Sequence, residues 1–232
     1  NGVGTPLTDS QMKNQESFVR WDFVGERANG TSSFWIIYPN EYPTLYCFDP
    51  NFEDYEFIGE GTEQAPYLIY DPNDLGAIWQ QTKCHYQLQN DVDLTGMNWS
   101  TAAIPAFNGI FEGNSYVIAN LHMNGGNYLG LFGILSRNAK VMNLGLQNVC
   151  VTGKRNTGGL CGYNCNGNIS NSFLTGSLTG EYELGGLCGC NEGGINNCYS
   201  VCSITGKSRT GGICGYNLVG SIMDCYADGS VN

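Results

Sequence analysis

Three related heptapeptides in the second half of the chain decide the fold. They read Gly-Gly-Leu-Cys-Gly-Tyr-Asn at residues 158–164, Gly-Gly-Leu-Cys-Gly-Cys-Asn at 185–191 and Gly-Gly-Ile-Cys-Gly-Tyr-Asn at 211–217, with offsets of 27 and 26 residues. A weaker copy, Gly-Leu-Phe-Gly, stands at 130–133. Repetition at a fixed period is typical of repeat architectures, so we expect a stack of similar units.

A second element alternates with the heptapeptides. It reads Val-Met-Asn-Leu at 141–144, Ile-Ser-Asn-Ser at 169–172, Ile-Asn-Asn-Cys at 195–198 and Ile-Met-Asp-Cys at 222–225, at spacings of 28, 26 and 27 residues. The same element recurs at a similar spacing at residues 118–121 and, more weakly, at 92–94. The sequence therefore contains up to six units.

Each unit carries alternating apolar residues, many of them β-branched or aromatic, with glycine at the corners, which is typical of short strands rather than helices. Leucine-rich repeats have a similar length, but their leucine framework is missing. We therefore predict an all-β fold, a right-handed parallel β-helix of about five to six coils. Successive coils would stack at the ~4.8 Å spacing of neighbouring strands.

Stacking predicts that equivalent positions form ladders through the coils. Two apolar ladders are expected in the interior, and two amide ladders in which stacked side chains satisfy one another. The apolar ladders are Leu131, Leu160, Leu187 and Ile213, and Phe132, Cys161, Cys188 and Cys214. The amide ladders are Asn164, Asn191 and Asn217, and Asn143, Asn171 and Asn197 with Asp224 at the end.

The loop after each Thr-Gly pair supplies a third kind of ladder. Its residues are Lys-Arg-Asn at 154–156, Glu-Tyr-Glu at 181–183 and Lys-Ser-Arg at 207–209. Positive, negative and positive charges would face one another on successive coils, which is the favourable order for cross-strand neighbours.

The composition limits the function classes. The chain has 232 residues, 33 glycines, 13% charged residues and a formal charge of −11. This charge repels phosphate backbones, so nucleic-acid binding is not expected. No apolar run is long enough for a membrane helix, so no membrane span is expected.

The repeats resemble the GLUG motif, named for Gly-Leu-x-Gly, at residues 159–162 and 186–189. Residues 61–69 and 85–94 are similar to the segment that introduces such arrays, and residues 12–23 and 42–45 to the segment that closes them. We expect an array-closing segment of mixed structure at 1–58, a lead-in with a short capping helix and the first coils at 59–125, and the repeat solenoid at 126–232.

The resemblance implies an extracellular, cell-surface location, as in bacterial surface proteins, adhesins and noncatalytic parts of secreted immunoglobulin-A metallopeptidases. It carries no known catalytic residues. The expected function is a structural or adhesive module. The alternative is a glycan-binding module or a polysaccharide-processing enzyme on the same scaffold, with an extracellular polysaccharide as its partner.

The sequence contains few candidates for catalytic residues or metal ligands. Of the eleven cysteines, Cys161, Cys188 and Cys214 share one repeat position, which favours small buried residues over metal ligands. Disulfides between coils remain an alternative. Neither His85 nor His122 lies in a nucleophile motif, so we expect no catalytic residue, metal or cofactor. The acidic run at 49–56 is interpreted as a solvated turn rather than a calcium site.

Three asparagines, Asn29, Asn98 and Asn168, fit the N-glycosylation pattern. Two short helices are expected, one capped by Thr8 and one capped by Asp71 or Asp74 over residues 75–80. Because a closing-type segment precedes the array and none follows it, we expect the partners to be copies of the chain or adjacent units of one protein, joined head to tail.

Overall fold

The computed structural model describes residues 55–232 and, within residues 1–54, two short antiparallel strands, β1 (Trp35–Ile36) and β2 (Thr44–Leu45). The chain divides into two compact units, Asn1–Asp54 and Tyr55–Asn232. This division lies slightly before the predicted boundary at residue 58, because Tyr55 and Phe57 pack with the second unit. The backbone N–H of Tyr55 donates to Gln80 Oε1 at 2.8 Å.

The second unit consists almost entirely of β-strands. Its strands are β3 (Tyr67–Ile69), β4 (His85–Leu88), β5 (Val92–Asp93), β6 (Ile104–Phe107), β7 (Ile110–Glu112), β8 (Val117–Ala119), β9 (His122–Asn124), β10 (Phe132–Leu135), β11 (Lys140–Met142), β12 (Gly145–Thr152), β13 (Arg155–Gly158), β14 (Cys161–Asn164), β15 (Asn168–Ser170), β16 (Phe173–Gly185), β17 (Cys188–Asn191), β18 (Gly194–Asn196), β19 (Tyr199–Gly211), β20 (Cys214–Asn217), β21 (Ser221–Met223) and β22 (Tyr226–Val231).

These strands form three parallel sheets, ordered β6-β10-β14-β17-β20, β3-β4-β7-β11-β15-β18-β21 and β5-β8-β12-β16-β19-β22. In addition, β9 pairs with β12 and β13 pairs with β16. From β4 to β20, each coil contributes a strand to all three sheets, so the unit is a β-solenoid of about 5 turns. The predicted all-β parallel solenoid is confirmed.

The interior is filled differently along the axis. In the early coils it is aromatic: Phe107 and Phe132 have ring centroids 5.2 Å apart, and Phe111 meets Phe132 edge-on at 5.6 Å. In the later coils, buried Leu, Ile and Cys residues occupy the interior. Burial of these columns is the main favourable contribution to stability, at roughly 25 cal/mol per Å² of apolar surface.

Within residues 55–232, the α-helix α1 (Pro72–Ala77) continues into a 3-10 helix, Ile78–Gln81. Asp71 is the N-cap, and its side chain accepts from the backbone of Asn73 and Asp74 in a capping box. This agrees with the helix predicted near residues 75–80. The predicted helix at Thr8 lies outside the described residues. No helix in the described part of the chain is long and apolar enough to cross a membrane.

Loops are expected from the sequence after the Thr-Gly pairs, but after the pairs at 179–180 and 205–206 the structure has strand. β16 and β19 each run for 13 residues through the charged segments. The strands continue because the neighbouring coil supplies hydrogen-bond partners: the N–H groups of Glu181 and Tyr182 both donate to the carbonyl of Lys154, at 3.0 and 2.9 Å.

Candidate functional site

The predicted apolar ladders lie in the interior of the solenoid. Backbone hydrogen bonds join Leu160 to Leu187 at 3.1 Å and Leu187 to Ile213 at 3.0 Å. Phe132, Cys161, Cys188 and Cys214 align residue for residue on successive strands. All members are buried except the last of each ladder, because Ile213 and Cys214 lie in the last coil and are partly exposed.

The inner amide ladder is a chain of hydrogen bonds that runs toward the last coil. Asn164 Nδ2 donates to Asn191 Oδ1 at 2.8 Å, and Asn191 Nδ2 donates to Asn217 Oδ1 at 2.9 Å. Asn164 and Asn191 are fully buried. Their amides also bond nearby turn backbone, such as Gly167 and Gly193, so these buried polar groups are satisfied.

The outer amide ladder runs in the opposite direction. Asn197 Nδ2 donates to Asn171 Oδ1 at 2.8 Å, and Asn171 Nδ2 donates to Asn143 Oδ1 at 3.1 Å. Asn143 in turn donates to the carboxylate of Glu112. The backbone φ is 54° at Asn143, 49° at Asn171 and Asn197, and 52° at Asp224. Asn and Asp tolerate this left-handed region better than other side chains, which explains their place at the corner.

The two glycines of the repeat motif are required by close approach of neighbouring coils. A Cβ at Gly186 would lie 2.1 Å from Ser200 Oγ and 2.2 Å from the carbonyl oxygen of Gly212. A Cβ at Gly189 would lie 2.4 Å from the backbone nitrogen of Thr157. Such distances exclude any side chain, so Gly-Leu-x-Gly marks the points where backbones meet.

The charge ladder is built around one buried carboxylate. Arg155 donates to Glu183 from Nε at 2.8 Å, and Arg209 donates to it from Nη1 at 2.6 Å. The hydrogen bonds and charge of Glu183 raise the pKa of Arg155. A third ion pair, from Lys207 to Glu181 at 3.1 Å, is exposed. The sequence placed these charges side by side but gave no sign that Glu183 alone would be buried.

The cysteines of residues 55–232 are free thiols. Burial raises the pKa of Cys188 well above its usual range and that of Cys198 to about 11. Thiols kept in their neutral form are poor nucleophiles and poor metal ligands. No cluster of three or more His, Cys, Asp or Glu able to hold a metal occurs within the described residues.

A hydrogen bond with no counterpart in the sequence pattern fixes one cysteine position. Cys198 Sγ donates to the carbonyl of Asn196 at 3.1 Å. In the preceding coil, Ser172 Oγ makes the same bond to the carbonyl of Ser170 at 2.8 Å. Serine and cysteine therefore serve as equivalent donors at one repeat position.

The last coil differs from those before it. Interior columns that are buried in the preceding coil become partly exposed at Ile213, Cys214, Ile222 and Cys225. Within the described residues, its three strands β20, β21 and β22 each have a neighbour on one side. Apolar side chains are also exposed here: Leu218, Val219, Met223, Tyr226 and Val231.

The remaining candidate residues are dispersed. Asn98 and Asn168 are exposed, and Asn29 lies outside the described residues. Asn98 Oδ1 contacts His122 Nδ1. Tyr199 stacks on Phe173 with ring centroids 5.0 Å apart and nearly parallel rings. The ladder residues therefore stack on adjacent coils, whereas the candidate glycan acceptors Asn98 and Asn168 do not form a common site.

Comparison with known proteins gives two sequence relatives. The sequence is 32% identical over 150 residues, 57% of this chain, to halomucin of Haloquadratum walsbyi. It is 37% identical over 106 residues, 40% of this chain, to a protein of Evansella cellulosilytica provisionally named a Gly-rich membrane protein. The aligned regions span only 2% and 12% of these two proteins.

The fold also matches a solved structure, provisionally named an immunoglobulin A1 protease, from Bacteroides ovatus. The TM-score is 0.53 at 21% identity, covering 75% of this chain and 79% of that one, and at this identity the likeness concerns the fold alone. Residues 206–232 match the family model of the GLUG motif. The chain therefore carries the GLUG motif, a β-helix repeat motif, as the resemblance predicted.

Proposed function

We propose that the chain is a structural module of the cell surface, in which the last coil is continued by a further coil. The observation that carries this proposal is the state of the last coil. Its interior positions Ile213 and Ile222 are partly exposed, whereas Leu187 and Ile195, one coil earlier, are completely buried. A stack of parallel strands gains stability from each added neighbour, so this face favours continued stacking.

The names of the relatives support a surface location. Halomucin and a Gly-rich membrane protein are both consistent with a protein displayed outside the cell. The low charged fraction and the glycine-rich repeats also suit a rigid spacer whose surface is polar but largely neutral. The proposed role is therefore extracellular and structural or adhesive, with no catalytic activity and no cofactor.

The backbone of β22 provides the means of continuation. Asn232 donates to the carbonyl of Ile204 at 2.9 Å and accepts from the N–H of Gly206 at 2.8 Å. Because backbone groups alternate in direction along a strand, the N–H and C=O of the preceding residue, Val231, point away from β19. They can pair with a strand of the next coil, supplied by a second copy of the chain or by an adjacent unit of the same protein.

The test uses the full chain and two substitutions at one position. Val231→Pro removes the outward N–H, whereas Val231→Ala shortens the same exposed side chain and keeps the N–H. We expect sedimentation velocity to show concentration-dependent association for the original chain and for Val231→Ala. Val231→Pro should remain monomeric, and electron microscopy should show rods only for the first two.

Two results would contradict serial assembly. One is association of Val231→Pro equal to that of Val231→Ala. The other is a chain that stays monomeric at the highest soluble concentration with Cys225 protected from thiol reagents, because residues of the first unit would then cover the last coil.

A further inference from the structure

A cleft on the first four coils is positively charged, although the chain as a whole is negatively charged. It has a volume of about 480 Å³, within the size range of ligand sites, and lies where the turns leading into β4, β7, β11 and β15 meet those strands. Its lining residues are Lys83, His85, Asn108, Gly109, Ile110, Arg137, Asn138, Ala139, Lys140, Asn166 and Asn168.

The lining contains three full cations and no carboxylate, in a chain with a formal charge of −11. The other four Lys and Arg residues of 55–232 are Lys154, Arg155, Lys207 and Arg209, all from the charged segments at 154–156 and 207–209. Three of those four form ion pairs with Glu181 or Glu183. Within the described residues, Lys83, Arg137 and Lys140 have no carboxylate partner within 4.0 Å.

The lining residues follow the axis of the solenoid across four coils. On adjacent strands, His85 aligns with Ile110, Ile110 with Lys140 and Lys140 with Asn168. The backbone N–H of Lys140 donates to the carbonyl of Gly109 at 2.9 Å. Four coils at the usual strand spacing cover roughly 14 Å, which is longer than a single inorganic anion needs.

The lining also contains four asparagines, Asn108, Asn138, Asn166 and Asn168. An amide both donates and accepts, as does a sugar hydroxyl, whereas Arg and Lys bind carboxylates and sulfates. The cleft offers no apolar pocket for peptide side chains and no free strand edge for a peptide backbone.

We propose that this cleft binds an acidic oligosaccharide along the solenoid axis. Arg137, Lys140 and Lys83 bind its carboxylate or sulfate groups, and the asparagines bind its hydroxyls. This activity is separate from serial assembly, because the cleft lies on the first four coils and the open strands lie on the last. An N-linked glycan at Asn168 would occupy the same cleft, so the two uses exclude each other.

The test measures binding of the full chain by isothermal titration calorimetry. The ligands are tetragalacturonate, a sulfated tetrasaccharide, neutral maltotetraose and a short polyglutamate. The cleft variant is Arg137→Ser with Lys140→Ser, and the matched control is Lys154→Ser with Lys207→Ser, which makes the same change in net charge. Lys83→Ser is the second cleft variant if the first fails to fold.

We expect the original chain and the control to bind one of the two acidic oligosaccharides, and the cleft variants to lose about tenfold or more in affinity. Whichever acidic ligand binds more tightly identifies the preferred anion. The proposal is overturned if cleft and control variants lose affinity equally, if neither acidic oligosaccharide binds with a millimolar or lower Kd, or if maltotetraose or polyglutamate binds as tightly.

Discussion

Arg155 and Glu183 are 28 positions apart in the chain, and the guanidinium Nε of Arg155 donates to Glu183 Oε2 across 2.8 Å. The Glu183 side chain is only 4% exposed, whereas that of Arg155 is 61% exposed. Glu183 also accepts from Arg209 of the following coil. One buried carboxylate thus connects three successive coils.

This arrangement predicts unequal effects of two similar substitutions. Glu183→Gln keeps the shape of the side chain but removes the charge that both arginines face. We expect it to lower the free energy of unfolding by about 1–2 kcal/mol, since the arginine ends are solvated. Glu181→Gln, which affects only an exposed pair, should cost less than about 0.5 kcal/mol. Urea denaturation measures both, and equal losses would contradict a special role for Glu183.

The cysteine columns predict an order of thiol reactivity. Cys188 is completely buried and its pKa is raised well above the usual range by that burial, whereas Cys225 in the last coil is partly exposed. We expect a mild alkylating reagent to modify Cys225 first and Cys188 only after denaturation. Peptide mapping by mass spectrometry reports each site. Rapid native labelling of Cys161, Cys188 and Cys214 together would show that their column does not lie inside.

Cys198 predicts a loss of stability at alkaline pH. Burial raises its pKa to about 11, above the value of about 8.5 for a free thiol. The folded state therefore favours the protonated thiol, and the contribution is present below about pH 8.5 and lost as the pH rises toward 11.

Cys198→Ser isolates this effect, because Ser172 makes the same hydrogen bond one coil earlier. Between pH 8 and pH 11, the original chain should lose about 2 kcal/mol more unfolding free energy than the variant. The measurement is guanidinium denaturation at several pH values. Parallel pH profiles would show that Cys198 ionises in the folded protein as it does in the unfolded chain.

The outer amide ladder predicts a stabilising substitution. Asn197 donates toward the earlier coil, and a donor at residue 224 would continue the series, but Asp224 has none when ionised. Asp224→Asn keeps a residue suited to φ of 52° and supplies that donor. We expect a gain of about 0.5–1 kcal/mol in unfolding free energy.

Asp228→Asn is the control for charge, since it makes the same change in the same exposed last coil. Among residues 55–232, its carboxylate accepts only from the adjacent N–H of Gly229. Thermal denaturation of both variants should show a higher Tm for Asp224→Asn alone. Equal increases would attribute the gain to reduced negative charge rather than to the ladder.

The ladders could be predicted from the sequence because the interior repeats its chemistry at a nearly fixed spacing. Leu187 and Asn191 recur in kind in the coils before and after them, since each must match the residue directly above and below it. The strands through the Thr-Gly corners could not be predicted in the same way. Glu183 and Arg209 have φ of 48° and 53°, a backbone that their residue types seldom adopt.

The cleft was not predictable for a different reason. Lys83, Arg137 and Lys140 come from turns of unequal length in the early coils, where the sequence repeat is weakest. Each turn supplies only a few of the lining residues, so no single sequence motif contains residues from two coils of the cleft. The register of the strands could have indicated part of the cleft. Val141 pairs with Phe111, and this places Lys140 opposite Ile110.

The register between β16 and β19 has a consequence for how such a chain changes. Every recorded pair, from Phe173 with Tyr199 to Gly185 with Gly211, has the same offset of 26 residues. Loss of one residue within this paired stretch would place its glycines against side chains in the rest of the stretch. Whole coils, in contrast, can be duplicated or deleted without disturbing their neighbours. Duplication or deletion of whole coils therefore changes the length of the solenoid in steps of about 4.8 Å.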